Sequence, residues 1–276
     1  MLRQGPVDHL TTTAVAVAAF APLLAEPAVR AEQVSQLVLG ETAAVLESRG
    51  DWRLLRGHTD GYGGWAHRGY LRELADADAA RWAADAAGYS EGAEIDADGA
   101  TARLPLRARV RLGAAGGAGD TKVGLPDGRE GRVLRGSVRP LAEIVAGARR
   151  LPPEEWAALH FMGAPYQWGG VTPWGVDCSG LVQTTFAARG VALPRNSSQQ
   201  IGAGAPVDAA AIRPGDLIFF RSESGTHINH VAFAAADHML VHATLARGGV
   251  VREPWGPGTR AAVLRERLAG VRRIAP

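Results

Sequence analysis

The sequence predicts an α+β fold, with short strands and glycine-rich turns in its first half and helices followed by strands in its second half. Two observations lead to this prediction. Strand-length apolar runs alternate with Gly-Asp and Asp-Gly turns over residues 10–73, and more weakly over 74–145. After residue 150, helix-compatible runs come before strand-like runs, which is the order of an α+β domain with an antiparallel sheet.

The composition is that of a folded chain with room for more than one domain. The chain has 276 residues, of which 46% are hydrophobic and 21% charged. A formal net charge of +2 gives no basic field for nucleic acid, and no apolar run has the length of a membrane span. The single cysteine excludes an internal disulfide and a zinc site of several thiolates, and we expect no metal or cofactor.

The apolar run Ala14–Ala25 has two interpretations. It follows Arg3 and has the length of the apolar part of a signal peptide. Pro22 interrupts it, however, and Asp8 and His9 weaken the basic region before it. We therefore favour an extended first strand of a β domain and expect a cytoplasmic location, with an exported protein as the alternative.

The first domain is predicted over residues 1–73 as a small barrel or sandwich. Strand-like runs cover residues 36–41, 43–47, 52–55 and 65–66, with turns at 50–51 and 60–64. The ordered patterns are Leu39-Gly40-Glu41, Gly50-Asp51-Trp52 and Asp60-Gly61-Tyr62-Gly63-Gly64-Trp65. Together they resemble bacterial SH3-like domains.

The second domain is predicted over residues 74–145 as a divergent SH3-like barrel. Residues 102–112 alternate apolar side chains with arginine over their second half, which indicates a half-buried strand. A hairpin turn at 125–129 leads into strand-like residues 131–134. The glycine-rich stretch 113–119 lacks the Lys-Ser/Thr ending and the following helix of a phosphate-binding loop, so we interpret it as a connecting loop.

The third domain is predicted over residues 150–276. Two helices are expected, over residues 152–161 and 178–189, the second ended by Gly190. Three strands are expected after them, over residues 217–220, 231–235 and 239–243. Helices followed by an antiparallel sheet complete the α+β prediction.

Cys178 is interpreted as a nucleophile rather than as a buried core thiol. Its neighbours Asp177, Ser179 and Gly180 make a poor apolar core segment, and a helix-compatible run follows them. At the start of a helix, free N–H groups and the positive end of the helix dipole favour the thiolate. The sequence therefore predicts a reactive cysteine.

His230 and His242 are the predicted partners of this thiol. They lie twelve residues apart on strands joined by a short turn, a separation compatible with one face of a hairpin. His230 would accept the Cys178 proton, and His242 would hold the His230 ring in the right tautomer. The alternative is that one or both are ordinary sheet histidines. His227 and His238 are expected to face solvent.

Residues 161–243 resemble the NlpC-type cysteine peptidases of bacterial cell-wall metabolism, whose catalytic core is papain-like. The matching elements are Gly163-x-Pro165-Tyr166-x-Trp168-Gly169-Gly170, Asp177-Cys178-Ser179-Gly180-Leu181-Val182, Leu193-Pro194-Arg195-x-Ser197-x-x-Gln200, Pro214-Gly215-Asp216-Leu217, His230-Val231 and His242-Ala243. The resemblance implies that Cys178 is the nucleophile, His230 the general base and His242 the orienting residue. It also implies that Tyr166 helps the Cys178 N–H to hold an oxyanion; the alternative for Tyr166 is an aromatic core residue.

The order of the domains resembles the γ-D-glutamyl-L-diamino-acid endopeptidases of the dipeptidyl-peptidase VI type, which recycle murein peptides. The resemblance implies a murein peptide with a free N-terminal L-Ala as substrate, cut between γ-D-Glu and the diamino acid. It implies that acidic and polar groups surround the free ammonium. The implied substrate-binding residues are Glu41, Tyr62, Asp177, Ser179 and Ser197.

Alternatives remain open for these residues and for the function. Asp177 and Ser179 are also suited to cap the Cys178 helix, Ser197 to cap a loop, and Glu41 to be a solvated strand-end carboxylate. An exported hydrolase that cuts the intact wall would use the same chemistry on a different substrate. A non-catalytic wall-binding module would retain the fold without the reaction.

Overall fold

The computed structural model describes residues 12–113 and 121–275. The predicted α+β architecture is confirmed, because two all-β units precede a domain in which helices come before an antiparallel sheet. Within the part of the chain that is described, no helix is long and apolar enough to cross a membrane.

The first unit is a seven-stranded sheet with antiparallel pairing. Its strands are β1 (Thr13–Ala16), β2 (Phe20–Leu24), β3 (Gln33–Val38), β4 (Thr42–Arg49), β5 (Trp52–Gly57), β6 (Gly63–His67) and β7 (Leu71–Leu74). Their order in the sheet is β3-β2-β6-β5-β4-β1-β7. Small and aliphatic side chains fill its core, among them Ala14, Leu23, Leu37 and Leu55.

Two details of this unit differ from the prediction. The apolar run Ala14–Ala25 contains most of β1 and all of β2 instead of a single strand. The strand expected over 36–41 ends at Val38, because Gly40 turns the chain at a φ of +79°. A Cβ at Gly40 would collide with the carbonyl oxygen of Arg109, so this close approach requires glycine.

An unpredicted helix, α1 (Asp76–Asp85), connects the two β units. Its sequence is rich in alanine, the best helix former, and two aspartates lie in its first turn, where the helix dipole favours negative charge. Trp82 is its one buried residue, and the indole N–H donates to the carbonyl of Gly40 at 2.8 Å. A single anchoring side chain gives too narrow an apolar stripe to be recognised from periodicity.

The second unit is a closed barrel of four strands in the order β10-β11-β8-β9. Its strands are β8 (Gly88–Ala97), β9 (Ala100–Leu112), β10 (Lys122–Gly124) and β11 (Glu130–Pro140). The strands predicted at 102–112 and 131–134 lie within β9 and β11. The predicted loop 113–119 lies, after Gly113, outside the described residues. Helix α2 (Leu141–Ala148) leads out of the barrel.

The third unit packs helices against a six-stranded antiparallel sheet. Its helices are α3 (Pro153–Phe161), α4 (Cys178–Ala188), α5 (Ser197–Gln200) and α6 (Val263–Glu266). Its strands are β12 (Val171–Thr172), β13 (Gly175–Val176), β14 (Ala205–Val207), β15 (Leu217–Arg221), β16 (Ile228–Ala235), β17 (Met239–Thr244), β18 (Gly249–Pro254) and β19 (Leu268–Arg273). The large sheet has the order β14-β19-β15-β16-β17-β18, and β12 pairs with β13 separately.

Helix α4 is nearly all buried, so its position relative to the sheet is fixed. Phe186 packs on Phe233 of β16 with ring centroids 6.0 Å apart. Leu181 and Val182 join the same apolar cluster, which includes Phe219 of β15. Because α4 begins at Cys178, this packing holds the thiol against the strands that carry the two histidines.

Candidate active site

Cys178 is the first residue of α4 and lies against strand β16. Its side chain is buried, and the sulfur is 3.9 Å from the carbonyl oxygen of Asn229. Asp177 caps the helix by accepting the Gly180 N–H at 2.7 Å, so the predicted capping role is observed. The cap fixes the direction in which α4 presents the sulfur.

The carboxylate of Asp177 is neutralised by a buried arginine. Arg195 donates to both of its oxygens, at 3.0 and 2.5 Å, and also to Ser179 Oγ at 2.9 Å. Ser179 Oγ in turn donates to Asp177, and the Gly169 N–H donates to the other carboxylate oxygen at 2.8 Å. Asp177 therefore organises the start of the helix and contributes little free negative charge to the site.

The two predicted histidines lie side by side on neighbouring strands. Nε2 of His230, on β16, is 2.8 Å from Nδ1 of His242, on β17. Nε2 of His242 is 2.8 Å from Oε1 of Glu253, on β18. Glu253 also accepts hydrogen bonds from Arg260. Together these residues form a hydrogen-bonded row, His230–His242–Glu253–Arg260, of which only the two histidines were predicted.

The protonation of this row follows from the carboxylate at its end. Burial alone would raise the pKa of Glu253, but the hydrogen bonds from His242 and Arg260 outweigh it and lower the pKa to about 2. An ionised carboxylate only accepts, so Nε2 of His242 carries a proton. In neutral His242, Nδ1 is then an acceptor, and Nε2 of His230 donates to it. Nδ1 of His230 is left with a free lone pair, as a general base requires.

Burial favours the neutral forms of the Cys178 thiol and the His230 imidazole. Burial raises the pKa of Cys178 to about 12. The adjacent Asp177 charge raises it further, and the Arg195 charge paired with Asp177 opposes that second effect. Burial also lowers the pKa of His230 to about 3, with further lowering by His242 and Arg260. Desolvation of the buried sulfur thus acts against the thiolate predicted from the helix start, and the resting charge of Cys178 stays a prediction.

Tyr166 is a half-buried neighbour of the thiol. Burial raises the pKa of its hydroxyl well above the ordinary value, and the Asp177 charge acts in the same direction. The phenol consequently stays protonated and available as a hydrogen-bond donor. Its backbone is held by a 2.8 Å bond from the Tyr166 N–H to the Gly248 carbonyl.

A cleft of about 250 Å³ opens beside Cys178. Four predicted substrate-binding residues line it, namely Tyr62, Asp177, Ser179 and Ser197. Trp168, Asn196, Ser198, His227, Ile228 and Asn229 line it as well, and the first β unit adds Glu32 and Val34. The cleft is thus formed jointly by the first and third units of the chain.

Glu41 does not line this cleft, and its prediction as a pocket residue is corrected. It is buried, its Oε1 accepts from Arg107 Nε at 2.6 Å, and its Oε2 accepts the Val38 N–H at 3.0 Å. Because Gly40 turns the chain before it, the Glu41 side chain points to a different cavity. Its carboxylate is therefore part of a structural ion pair.

Glu32 is the acidic residue that the first unit contributes to the cleft. The Trp168 indole N–H donates to its Oε1 at 2.7 Å, and the residue is otherwise exposed. The sequence offered no signal for Glu32 beyond a carboxylate just before a strand. Its position depends on how strand β3 lies against the third unit.

Strand β3 docks on the loop that precedes Cys178. Gln33 Nε2 donates to the Trp168 carbonyl at 2.9 Å, and Ser35 Oγ accepts from Arg195 at 3.1 Å. Gly169 has a φ of +75°, and a Cβ there would lie 2.7 Å from the Gln33 carbonyl oxygen. Glycine in the Trp168-Gly169-Gly170 motif is thus what permits this close approach.

No cluster of three or more His, Cys, Asp or Glu residues suited to a metal ion occurs within residues 12–113 and 121–275. The site contains a thiol, a neutral imidazole with a free nitrogen, and nearby N–H and O–H donors. These are the groups of nucleophilic acyl transfer.

Comparisons with known proteins agree with this geometry. Residues 163–267 match the NlpC/P60 family, and residues 23–69 match the bacterial dipeptidyl-peptidase SH3 domain. These matches confirm the NlpC-type and SH3-like interpretations of the two segments. The SH3-like interpretation of the second unit stays a prediction.

Two curated relatives are similar in sequence to part of the chain. A gamma-D-glutamyl-L-lysine dipeptidyl-peptidase from Bacillus cereus is 36% identical over 118 residues, which cover 42% of this chain and 34% of that protein. The probable endopeptidase NlpC from Escherichia coli is 40% identical over 87 residues, covering 31% of this chain and 56% of that protein. The matches therefore span a third to just over half of these relatives.

A solved structure resembles the chain along nearly its whole length. The crystal structure of an NlpC/P60 family protein from Bacillus cereus superposes with a TM-score of 0.78 and covers 96% of this chain and 100% of that chain. Sequence identity in this comparison is 21%. The likeness shows that the three units share one arrangement in both proteins.

Proposed function

We propose that this chain hydrolyses the γ-D-glutamyl bond to an L-diamino acid in murein peptides with a free N-terminal L-Ala. The premise is that residues 163–267 place the chain in the NlpC/P60 family of cysteine peptidases. The observation that carries the proposal is the cleft that places the Glu32 carboxylate and Tyr62 of the first unit in one cavity with Cys178. The printed name of the Bacillus cereus relative describes a γ-D-glutamyl dipeptidyl-peptidase and supports the same bond.

The proposed reaction begins with a neutral Cys178 thiol and a neutral His230 imidazole. Nδ1 of His230 takes the Cys178 proton as the sulfur attacks the γ-carbonyl carbon, so a C–S bond forms and the carbonyl becomes an oxyanion. The Cys178 N–H and the Tyr166 hydroxyl donate to that oxyanion. Donors of this kind are typically worth about 3–4 kcal/mol in the barrier.

Collapse of the tetrahedral species breaks the C–N bond. The protonated His230 gives its proton to the leaving amine of the diamino acid, and a thioester remains on Cys178. Water then attacks the thioester while His230 takes a proton from it. Breakage of the C–S bond releases L-Ala-D-Glu and returns the thiol to its neutral state.

His242 and Glu253 act on this reaction through His230. The carboxylate keeps the proton of His242 on Nε2, and Nδ1 of His242 then keeps the proton of His230 on Nε2. When His230 becomes positively charged, His242 and the Glu253 charge beyond it stabilise the cation. Both residues therefore position and stabilise the base without touching the substrate.

Glu32 is proposed to bind the free ammonium of L-Ala. The other carboxylate of the cleft, Asp177, forms an ion pair with Arg195. Among the described residues, the Glu32 carboxylate accepts a hydrogen bond only from the Trp168 indole. A charged amine paired with a carboxylate gains a charge-assisted hydrogen bond. Tyr62, Ser179 and Ser197 offer polar oxygens around the same end of the peptide.

A cytoplasmic location is part of the proposal, because peptides with a free L-Ala terminus are products of wall breakdown rather than the intact wall. The burial of Ala14, Ala16, Ala21 and Leu23 in the first unit also supports retention of the apolar run in the folded protein. Sequencing of the N-terminus of the protein purified from its host tests this point. A start near Glu26 or Ala31 would contradict it.

Substrate end-group selectivity tests the proposed function. Purified enzyme is given L-Ala-γ-D-Glu-diaminopimelate, its N-acetylated form and intact sacculi, and kcat/KM is measured for each. We expect efficient cleavage only of the free-amine peptide. Equal cleavage of the N-acetylated peptide or of sacculi would instead support a hydrolase of the intact wall.

A further inference from the structure

A second cavity lies where the three units of the chain meet. It has a volume of about 290 Å³, which is close to the lower end of ordinary ligand pockets. Its walls come from the Gly40–Thr42 turn, helix α1, strands β8 and β9, helix α2 and helix α4. None of the proposed catalytic residues lines it.

A buried hydroxyl without a partner lies in this cavity. Tyr89, on β8, is 2% exposed, and its Oη has no hydrogen-bond partner among the described residues. The charges that act on this hydroxyl most strongly are those of Arg107, Glu41 and Arg109. Buried hydroxyls are nearly always hydrogen-bonded, so an orphan at a cavity wall indicates a missing acceptor.

The same cavity is bordered by an arginine that forms no ion pair with any described carboxylate. Arg107 is satisfied by Glu41 at 2.6 Å and by Gln183 and Thr184 on α4 at 3.2 Å each. Arg109 lines the cavity and is half-buried, yet no described carboxylate lies within ion-pair distance of it. After the Glu41–Arg107 pair cancels, the local charge is positive.

Hydrogen bonds hold the backbone around these two donors. The Arg109 N–H donates to the Leu39 carbonyl at 2.8 Å, and the Trp82 indole donates to Gly40 at 2.8 Å. Arg107 has a φ of +82°, a backbone conformation that non-glycine residues adopt only when their surroundings hold them there. The cavity is thus preformed, and its polar end has a fixed position.

We propose that this cavity is a binding site for a small monocarboxylate with a short apolar body, held between the Tyr89 hydroxyl and the Arg109 guanidinium. Two donors match the two oxygens of one carboxylate, and a single negative charge balances the single unpaired cation. Inorganic phosphate fits less well, because its second charge would face Glu41. Trp82, Ala86, Leu141 and Ala187 supply the apolar wall for the ligand body.

The site is linked to the catalytic helix by contact. Ala187 of α4 lines the cavity, and Arg107 binds Gln183 and Thr184 on the same helix. Since a ligand that binds only the folded protein stabilises it by mass action, occupancy raises the melting temperature of the whole chain.

Butyrate and inorganic phosphate are suitable probes, measured by calorimetric titration of the intact protein. Butyrate is expected to bind saturably in the millimolar range, and Tyr89→Phe or Arg109→Met to weaken it by about tenfold or more. The matched controls Tyr70→Phe and Arg247→Met change exposed residues outside the cavity and should leave binding unchanged. Prior alkylation of Cys178 should also leave it unchanged, which excludes binding in the catalytic cleft.

Several results would overturn the proposal. These are absence of saturable binding, tighter binding of phosphate than of butyrate, loss of binding on alkylation, and unchanged affinity in both cavity variants. A crystal soaked in butyrate gives a check that needs no variant. Density for a carboxylate between Tyr89 Oη and Arg109 supports the site, and an ordered water cluster there in its place contradicts it.

Discussion

Nδ1 of His242 lies 2.8 Å from Nε2 of His230, and this contact determines which nitrogen of His230 is free to act as a base. The arrangement depends on a third strand, because Glu253 holds the proton of His242 on the opposite nitrogen. A chain of two histidines and a carboxylate therefore sets the tautomer of His230, the proposed base.

Replacing this carboxylate with an amide should disturb the tautomers without removing bulk. In Glu253→Gln, the amide can donate to His242, which would move the proton of His230 to the nitrogen that must act as a base. We expect kcat to fall by about 100-fold or more while KM changes little, since an amide in place of a triad carboxylate costs up to about 10⁴ in another enzyme.

Glu155→Gln is the matched control, because it removes a carboxylate from an exposed pair with Arg252. Its kcat should stay within about twofold of the wild type, as expected for a surface pair. A Glu253→Gln enzyme with wild-type kcat would show that the carboxylate has no part in setting the tautomer.

Glu32→Gln should weaken recognition of the free amine. Loss of a charge-assisted hydrogen bond to the substrate ammonium is worth about 1.5–3 kcal/mol, so kcat/KM for the free-amine peptide should fall about 10- to 100-fold. The much slower reaction of the N-acetylated peptide should change little. The control is Glu26→Gln, which removes the charge of an exposed carboxylate six residues earlier in the chain. Equal losses on both peptides would indicate that Glu32 does not bind the amine.

Glu41 should matter for stability rather than for substrate recognition. Glu41→Ala leaves Arg107 buried without its partner, so the free energy of unfolding should fall by about 3–5 kcal/mol. Glu47→Ala breaks an exposed pair with Arg49 and should cost less than about 1 kcal/mol. Urea unfolding of the two variants tests this difference. A change in amine selectivity with unchanged stability in Glu41→Ala would restore its role as a pocket residue.

The pH dependence of alkylation tests the resting state of the nucleophile. Burial raises the pKa of Cys178 to about 12, so its thiolate fraction near neutral pH is below that of free cysteine. Iodoacetamide should react slowly at pH 7, and the rate should still be rising above pH 9. A rate that reaches its plateau below pH 8 would instead indicate the thiolate expected from the helix start.

Local patterns in the sequence are enough to indicate the candidate catalytic residues. The Asp177-Cys178-Ser179-Gly180 string indicates a capped helix start, and the twelve-residue spacing of His230 and His242 suits facing positions of a hairpin. Both features depend on residues near in the chain. The structure places Cys178 at the start of α4 and His230 2.8 Å from His242, and the catalytic roles of these residues stay predictions.

The partners that the sequence analysis missed depend on packing between distant segments. Glu253 reaches His242 only because β18 pairs with β17, and Glu32 reaches the cleft only because β3 docks on the Trp168 loop. The prediction of Glu41 as a pocket residue was wrong for the same reason. Its carboxylate pairs with Arg107, which lies 66 residues away in the sequence. The burial of the Cys178 thiol, which acts against its ionisation, is likewise a property of the folded chain.

The central claim is that the sulfur of Cys178 attacks the γ-glutamyl carbonyl of a free-amine murein peptide. The most direct measurement is mass spectrometry of products after incubation of L-Ala-γ-D-Glu-meso-diaminopimelate with the wild type and with Cys178→Ala. The wild type should release L-Ala-D-Glu and free diaminopimelate, and Cys178→Ala should release neither. Intact peptide after incubation with the wild type, or undiminished cleavage by Cys178→Ala, would contradict the account.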